Sequence, residues 1–311
     1  MKKDWIEVSV SVSPEVVDDL TSSLYKFIGS AFSVEERPAG TGFDPTRITI
    51  RAFIAPGPNQ ATIGSEVNRA LDCLRLAGEG MIGIATEALV KEDEYLNRWR
   101  NFYRAIPVGS KLMIVPAWQR ELPECNGRIQ VILDSGAAFG TGHHPTTQLA
   151  LKLLEELMVP GLTVADVGTG SGILAIAAVR LGASRVVAFD NDGQVRPIAE
   201  SNIQRNGVQD LINLCVPSHG IERYGHVDLV IANIVASVHV ELMSSYAYLL
   251  RSGGTAILSG VLDERLHEVT SRADECGLKM TRYLADGDWR AMIFGKDGKG
   301  EELHGGSEVD S

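Results

Sequence analysis

Thr163-Val164-Ala165-Asp166-Val167-Gly168-Thr169-Gly170-Ser171-Gly172 is the stretch that decides how this 311-residue chain folds. An apolar strand pattern ends at Val167, glycines then fall on alternate positions, and the spacing predicts a helix over 173–181. Glycine lets the backbone turn tightly and approach a ligand that a Cβ would hold off. The helix that follows offers N–H groups without intrahelical partners. The dinucleotide fingerprint spaces its glycines G-x-G-x-x-G, whereas the order here is G-x-G-x-G with an acid, Asp166, in front.

The βα alternation continues on both sides. A helix is expected over 149–157, and the strand RVVAFD (185–190) ends in Asp190, 22 residues after Gly168. A carboxylate there can accept hydrogen bonds from ribose hydroxyls. A helix over about 195–206 follows, then the strand VDLVIANI (227–234), another helix and the strand TAILSG (255–260). Continuous apolar strands alternating with helices imply a parallel sheet covered on both faces, an α/β doubly wound, Rossmann-like domain. The D-x-G-x-G-x-G run followed by an acid-ended second strand resembles the class I S-adenosylmethionine-dependent methyltransferases over about residues 160–295. Pyrophosphate needs a cradle and a methionine-bearing nucleoside does not, which suits the altered glycine spacing.

Asn233 closes a buried strand and faces the crevice where such folds bind ligands. Its carbonyl can accept from an amine and its amide can donate. Methyl transfer is an in-line displacement by a neutral nucleophile, so groups that orient an N–H supply much of the catalysis through positioning. Phe139-Gly140-Thr141-Gly142-His143-His144-Pro145-Thr146-Thr147 lies ahead of the domain, and its small residues beside an aromatic suggest backbone running close to a ligand. Adjacent histidines seldom share one ion and no other ligand cluster exists, so no metal site is expected. His143 or His144 is read as a positioning or capping group, with proton acceptance as the alternative.

The N-terminal part has a different rhythm. WIEVSVSV (5–12) alternates as a half-buried strand, and Pro14 suits the first turn of a helix bearing Val16, Val17, Leu20, Leu24 and Phe27. Strands are expected at 32–36, 47–54 and 82–90, with a second helix around Val67, Leu71, Leu74 and Leu76. The order β-α-β-β-α-β is the split-βαβ pattern of a small α+β ferredoxin-like domain. Four segments follow: residues 1–90, a connecting helix and linker over 91–118, a methyltransferase domain over 119–295, and a tail over 296–311. The tail has little hydrophobic content and is expected to be disordered. Trp99, Phe102 and Tyr103 are many aromatics for a linker and are read as packing the two domains together, with shaping of a substrate or cofactor entrance as the alternative.

Hydrophobic residues make up 44% and charged residues 22%, an ordinary globular balance. No apolar run suits a membrane span, and the alternating N-terminus does not read as a signal peptide. Cys73, Cys125, Cys215 and Cys276 have no paired spacing and are read as reduced thiols, so a cytoplasmic location is expected. The net charge is −11, and residues 296–311 contribute five acids against Lys296 and Lys299. Such a surface argues against nucleic-acid binding.

LDSGAAFGTGHHPTT, DVGTGSGILAIAA, VVAFDND and DLVIANIV, in that order, resemble the PrmA family, the methyltransferases of ribosomal protein L11. EYLNRWRNFYRAIPVGSKLMIVPAW is similar to that family's connecting region. The resemblance implies S-adenosylmethionine as cofactor and methylation of the α-amine and lysine ε-amines of L11, held by the N-terminal domain. By motif it places Phe139, Gly140, Thr141, Thr147, Gly168, Gly170, Gly172, Asp190 and Asn233 against the cofactor. Asn233 and the backbone of Ile234 would border the acceptor amine. His143 stands where threonine is common, Val235 where leucine is common, and Gly193 where proline is usual. A monomer is expected. The alternatives are the same catalytic domain acting on another protein or small-molecule amine, and a binding module that has lost catalysis. Asn-Ile-Val differs from the Asn-Pro-Pro-Tyr of glutamine and adenine methyltransferases, which argues against those acceptors.

Overall fold

The computed structural model describes residues 4–12, 20, 24, 32–35, 48–54, 58–76, 86–91, 104–119, 127–134, 142–193, 195–215 and 221–297. Trp99, Phe102 and Tyr103, the segment Phe139-Gly140-Thr141, most of the first expected helix and the tail beyond 297 lie outside the described residues. The chain divides into two compact units, residues 1–102 with 137–139, and residues 103–136 with 140–311.

The first unit contains β1 (Asp4–Val12), β2 (Phe32–Glu35), β3 (Ile48–Ile54), α1 (Gln60–Leu76) and β4 (Thr86–Lys91). Its sheet runs β2-β3-β1-β4 with every pair antiparallel, the order that interleaved split-βαβ units produce. The alternation read in β1 puts Val8, Val10 and Val12 into a core with Leu20, Leu24, Val67 and Leu71. Leu20 and Leu24, from the first expected helix, are both helical and buried. Glu7 is nearly covered and forms an ion pair with Arg51.

In the second unit, β5 (Ile106–Val108), β6 (Leu112–Pro116) and β7 (Ile129–Leu133) form a three-stranded sheet. The strand-like end of the 91–118 segment therefore becomes β5 and β6. Then come α2 (Pro145–Leu157), β8 (Thr163–Val167), α3 (Ile173–Arg180), β9 (Arg185–Phe189), α4 (Arg196–Arg205) and β10 (Ile212–Cys215). The chain continues through β11 (Val227–Asn233), α5 (Ala236–Leu249), β12 (Leu250–Leu262), α6 (Leu266–Glu275), β13 (Leu278–Asp286) and β14 (Trp289–Lys296). The seven-stranded sheet has the order β10-β9-β8-β11-β12-β14-β13. One apolar cluster lies on each face, the first built on Leu149, Leu153, Ile173 and Ile176, the second on Met243, Tyr246, Leu249 and Val269.

The sheet departs from the expected all-parallel one at its far edge. β14 runs antiparallel to both β12 and β13. Only Gly287 and Asp288 separate Asp286 from its partner Trp289. A two-residue turn can join antiparallel strands only, since a parallel crossover needs a dozen residues or more. β14 thus returns between β12 and β13. The strand order reverses direction between β8 and β11, and that switch point opens the crevice at their carboxyl ends.

Candidate active site

Gly168, Gly170 and Gly172 all have positive φ, at 79°, 52° and 85°. The loop they form is fastened to the end of β9. Gly168 and Thr169 donate their N–H groups to the Phe189 carbonyl, each at 2.9 Å. Asp190, just beyond β9, accepts from Gly170 N–H through Oδ2 at 2.8 Å and from Asp192 N–H through Oδ1 at 2.9 Å. A carboxylate offers about four acceptor positions, so Asp190 can hold this loop and still accept hydroxyls.

Asp166 lies behind the loop and is fully buried. Its Oδ2 accepts from Thr169 Oγ1 at 2.7 Å and Ala175 N–H at 3.0 Å, while Oδ1 has no hydrogen-bond partner. Burial pushes its pKa up to about 7, and the charge of Asp190 adds to the rise. Two carboxyls, one of them short of a partner, therefore surround a backbone cradle. This set suits a cationic nucleoside such as S-adenosylmethionine, whose sulfonium and ammonium charges would favour ionised Asp166.

On the other side of the switch point, Asn233 ends β11 and pairs in register with Ser259 of β12. Its Nδ2 donates to Thr147 Oγ1 at 3.1 Å, leaving Oδ1 to accept. Thr147 comes from the first turn of α2, which begins at Pro145. His144 caps that helix. Its Nδ1 accepts from Thr146 N–H at 3.3 Å and lies 2.8 Å from Thr146 Oγ1, and Trp289 meets the ring edge-on at 5.2 Å. Burial lowers the His144 pKa, so the neutral ring that capping requires is the favoured form. The structure thus gives His144 the capping role. Of His143, the backbone carbonyl accepts from Gln148 Nε2 at 3.1 Å.

Ile234 joins the two halves. A Cβ placed on Gly168 would meet Ile234 Cγ2 at 2.5 Å. Ile234 N–H donates to the Ser259 carbonyl at 3.1 Å, and a Cβ on Gly260 would meet the Ile234 carbonyl oxygen at 2.4 Å. Gly260 itself has φ 87°. Gly168 thus meets Ile234, Asn233 meets Thr147, and Gly170 is held by Asp190.

Sequence reading passed over Asn202 on α4 and Asn206, which caps the end of that helix. Asn202 Nδ2 donates to the Ser171 carbonyl at 2.9 Å and its Oδ1 accepts from Asp134 N–H at 2.8 Å. Asn206 accepts from Ile132 N–H at 2.9 Å and donates to the Ile132 carbonyl at 2.7 Å. The two amides tie β7 and the glycine loop to one helix. A signal existed, because 199, 202, 203 and 206 have the spacing of a helix's inward face, and asparagine on that face needs buried partners. Among the described residues, no three His, Cys, Asp or Glu side chains gather as metal ligands would, and no helix is long and apolar enough to cross a membrane.

The family described as ribosomal protein L11 methyltransferase (PrmA) matches residues 4–297. The chain belongs to the PrmA family. It is 34% identical over 309 residues to the ribosomal protein L11 methyltransferase of Desulforamulus reducens, spanning 93% of this chain and 98% of that one. The protein of the same name from Geobacter sulfurreducens is 35% identical over 304 residues, covering 96% and 100%. Among solved structures, a ribosomal protein L11 methylase from Lactobacillus delbrueckii subsp. bulgaricus superposes with a TM-score of 0.57 at 33% identity. It covers 63% of this chain and all of its own. Membership of PrmA makes the chain a methyltransferase, and the seven-stranded sheet is its Rossmann-like catalytic domain.

Proposed function

We propose that this chain transfers methyl groups from S-adenosylmethionine to the α-amine and lysine ε-amines of ribosomal protein L11. Residues 1–90 would hold the protein substrate and residues 119–295 would carry out the transfer. The observation that carries this reading is the contact of Gly168 with Ile234, the neighbour of Asn233, in a chain of the PrmA family.

Gly168, Gly170, Gly172 and Asp190 hold the cofactor, together with Thr147 and the segment Phe139-Gly140-Thr141. Bound S-adenosylmethionine supplies a methyl group made electrophilic by its sulfonium. Asn233 Oδ1 and the Ile234 carbonyl accept the N–H groups of a neutral amine and aim its lone pair at the methyl carbon. With the cofactor bound, the amine so held would form its new N–C bond as the methyl–sulfur bond breaks, and its proton would pass to water. Positioning does most of the work, and no side-chain base is needed. In this reading the enzyme is a cytoplasmic monomer that does not touch nucleic acid, in keeping with its charge of −11.

Mass spectrometry of unmodified L11 after incubation with the enzyme and cofactor tests the proposal. Mass gains in steps of one methyl are expected, and fragmentation then locates the amines. Asn233→Ala should cut turnover about 100-fold without changing the folded fraction. No mass gain by the parent enzyme, with cofactor binding intact by calorimetry, would rule out L11 as the acceptor.

A further inference from the structure

Beneath the turn from β11 into α5 lies a histidine that the reaction as described does not use. His239 lies near the start of α5 and is fully buried, on a helix whose inward residues also include Met243, Tyr246 and Leu249. Its Nε2 lies 2.8 Å from the Ser259 carbonyl oxygen. A carbonyl can only accept, so the proton is on Nε2 and Nδ1 is left as an acceptor. Tyr246, one helical turn or so further on, supplies the hydroxyl for Nδ1 at 3.4 Å. Burial holds the imidazole pKa down at about 4, against the opposing pull of the Ser259 and Ile234 carbonyls. The ring is therefore neutral and locked in one tautomer.

A buried imidazole is costly unless both nitrogens are paired, and an aliphatic side chain would fill this layer without that requirement. What the ring touches explains its presence. The Ser259 carbonyl that accepts from it also accepts from Ile234 N–H at 3.1 Å. Ser259 in turn donates its Oγ to the Thr146 carbonyl at 2.8 Å, next to Thr147, the partner of Asn233. Gly260 leaves room for the Ile234 carbonyl and for Asn233 Oδ1, which would lie 2.4 and 3.1 Å from a Cβ there. The Ile234 N–H is thus bonded to Ser259, the Ile234 carbonyl and Asn233 Oδ1 pack on Gly260, and His239 holds the Ser259 carbonyl.

We infer that His239, oriented by Tyr246, is a positioning residue that fixes the Asn233-Ile234 turn for the acceptor amine by bracing the Ser259 and Ile234 backbone. The inference rests on the proposed reading of that turn as the acceptor side. His239 is fully buried and bonded to the Ser259 carbonyl and the Tyr246 hydroxyl, so its loss should appear in turnover and not in cofactor affinity.

The test compares the full chain with His239→Leu, His239→Gln and Tyr246→Phe. With L11 as acceptor, His239→Leu should lower kcat at least about tenfold, since small misplacements near the reacting atoms cost that much or more. Cofactor Kd and binding stoichiometry by calorimetry should stay within about twofold. Glutamine keeps an amide donor for Ser259 and should recover most of the rate, while Tyr246→Phe should show a smaller loss. A kcat for His239→Leu within about twofold of the parent overturns the proposal, as does a stoichiometry that falls in step with kcat. Crystal structures of the parent and His239→Leu decide the same point without any acceptor. The Ile234 carbonyl should move by more than about 0.5 Å, the tolerance of a working site, and an unmoved turn overturns the inference. That comparison stays decisive if L11 proves not to be the substrate.

Discussion

Ile234 Cγ2 occupies the space into which a side chain on Gly168 would grow, at 2.5 Å from its Cβ position. The residue that follows β11 and the first glycine of the loop after β8 therefore share one surface. Cγ2 is attached directly to a branched Cβ and cannot swing away cheaply.

Gly168→Ala should accordingly be harmful twice over, through the contact with Ile234 and through a φ of 79° that L side chains seldom adopt. The expected cost is about 1–3 kcal/mol of stability, with cofactor affinity reduced at least about tenfold. Adding Ile234→Ala should restore part of the stability, because it removes the contact and leaves the strain. Thermal melts and calorimetric titrations of the single and double variants check this. A double variant no more stable than Gly168→Ala would show that strain alone matters.

Asp190 bonds to Gly170 N–H at 2.8 Å and to Asp192 N–H at 2.9 Å. Asp190→Ala should raise the cofactor Kd by about 10- to 100-fold, in line with the roughly 1.5–3 kcal/mol of a hydrogen bond to a charged group. Circular dichroism should show the fold retained. An unchanged Kd would remove Asp190 from the binding set.

Asn202 and Asn206 satisfy backbone groups of Ser171, Asp134 and Ile132 inside the protein. Replacing either by alanine strands those groups, at about 1–3 kcal/mol each. Urea unfolding should show both variants well below Asn213→Ala, whose side chain is exposed. Equal midpoints for all three would contradict the bridging role.

Asp166 and His239 should tilt stability against pH in opposite directions. Asp166 has a folded pKa near 7 against an ordinary 3.8, so between those values the folded state keeps a proton that the unfolded chain has lost. Its contribution therefore falls as pH rises through that window. His239 titrates near 4 when folded against an ordinary 6.5, so the unfolded chain binds the extra proton and stability falls on acidification from 6.5 to 4. Each slope is about 1.4 kcal/mol per pH unit, and they oppose each other between pH 4 and 6.5. Asp166→Asn should be more stable than the parent at pH 8, with the advantage shrinking as pH drops from 7 towards 4. A difference that stays constant across that range would refute the raised Asp166 pKa.

Much of this was legible in the residues themselves. The glycine loop, Asp190 and the βα alternation are local in sequence, since a tight turn demands glycine and a buried parallel strand demands an unbroken apolar run. Alternation in β1 and the strand–helix order foretold the four-stranded antiparallel sheet of the first unit for the same reason. The FGTG segment and the PrmA resemblance pointed to Thr147 and Asn233. What periodicity could not reveal depends on partners far away along the chain. The reversal of β14 follows from a two-residue turn, but its place between β12 and β13 depends on distant pairs such as Ala256 with Phe294. Asn202, Asn206 and His239 read as ordinary helix positions, and the hydrogen bonds that tie them to other elements span 20 to 74 residues. A buried polar group takes its meaning from whatever the fold brings against it. Local residue preferences therefore determined the elements and the cofactor loop, while only tertiary packing decided which carbonyls and amides those inward polar groups would hold.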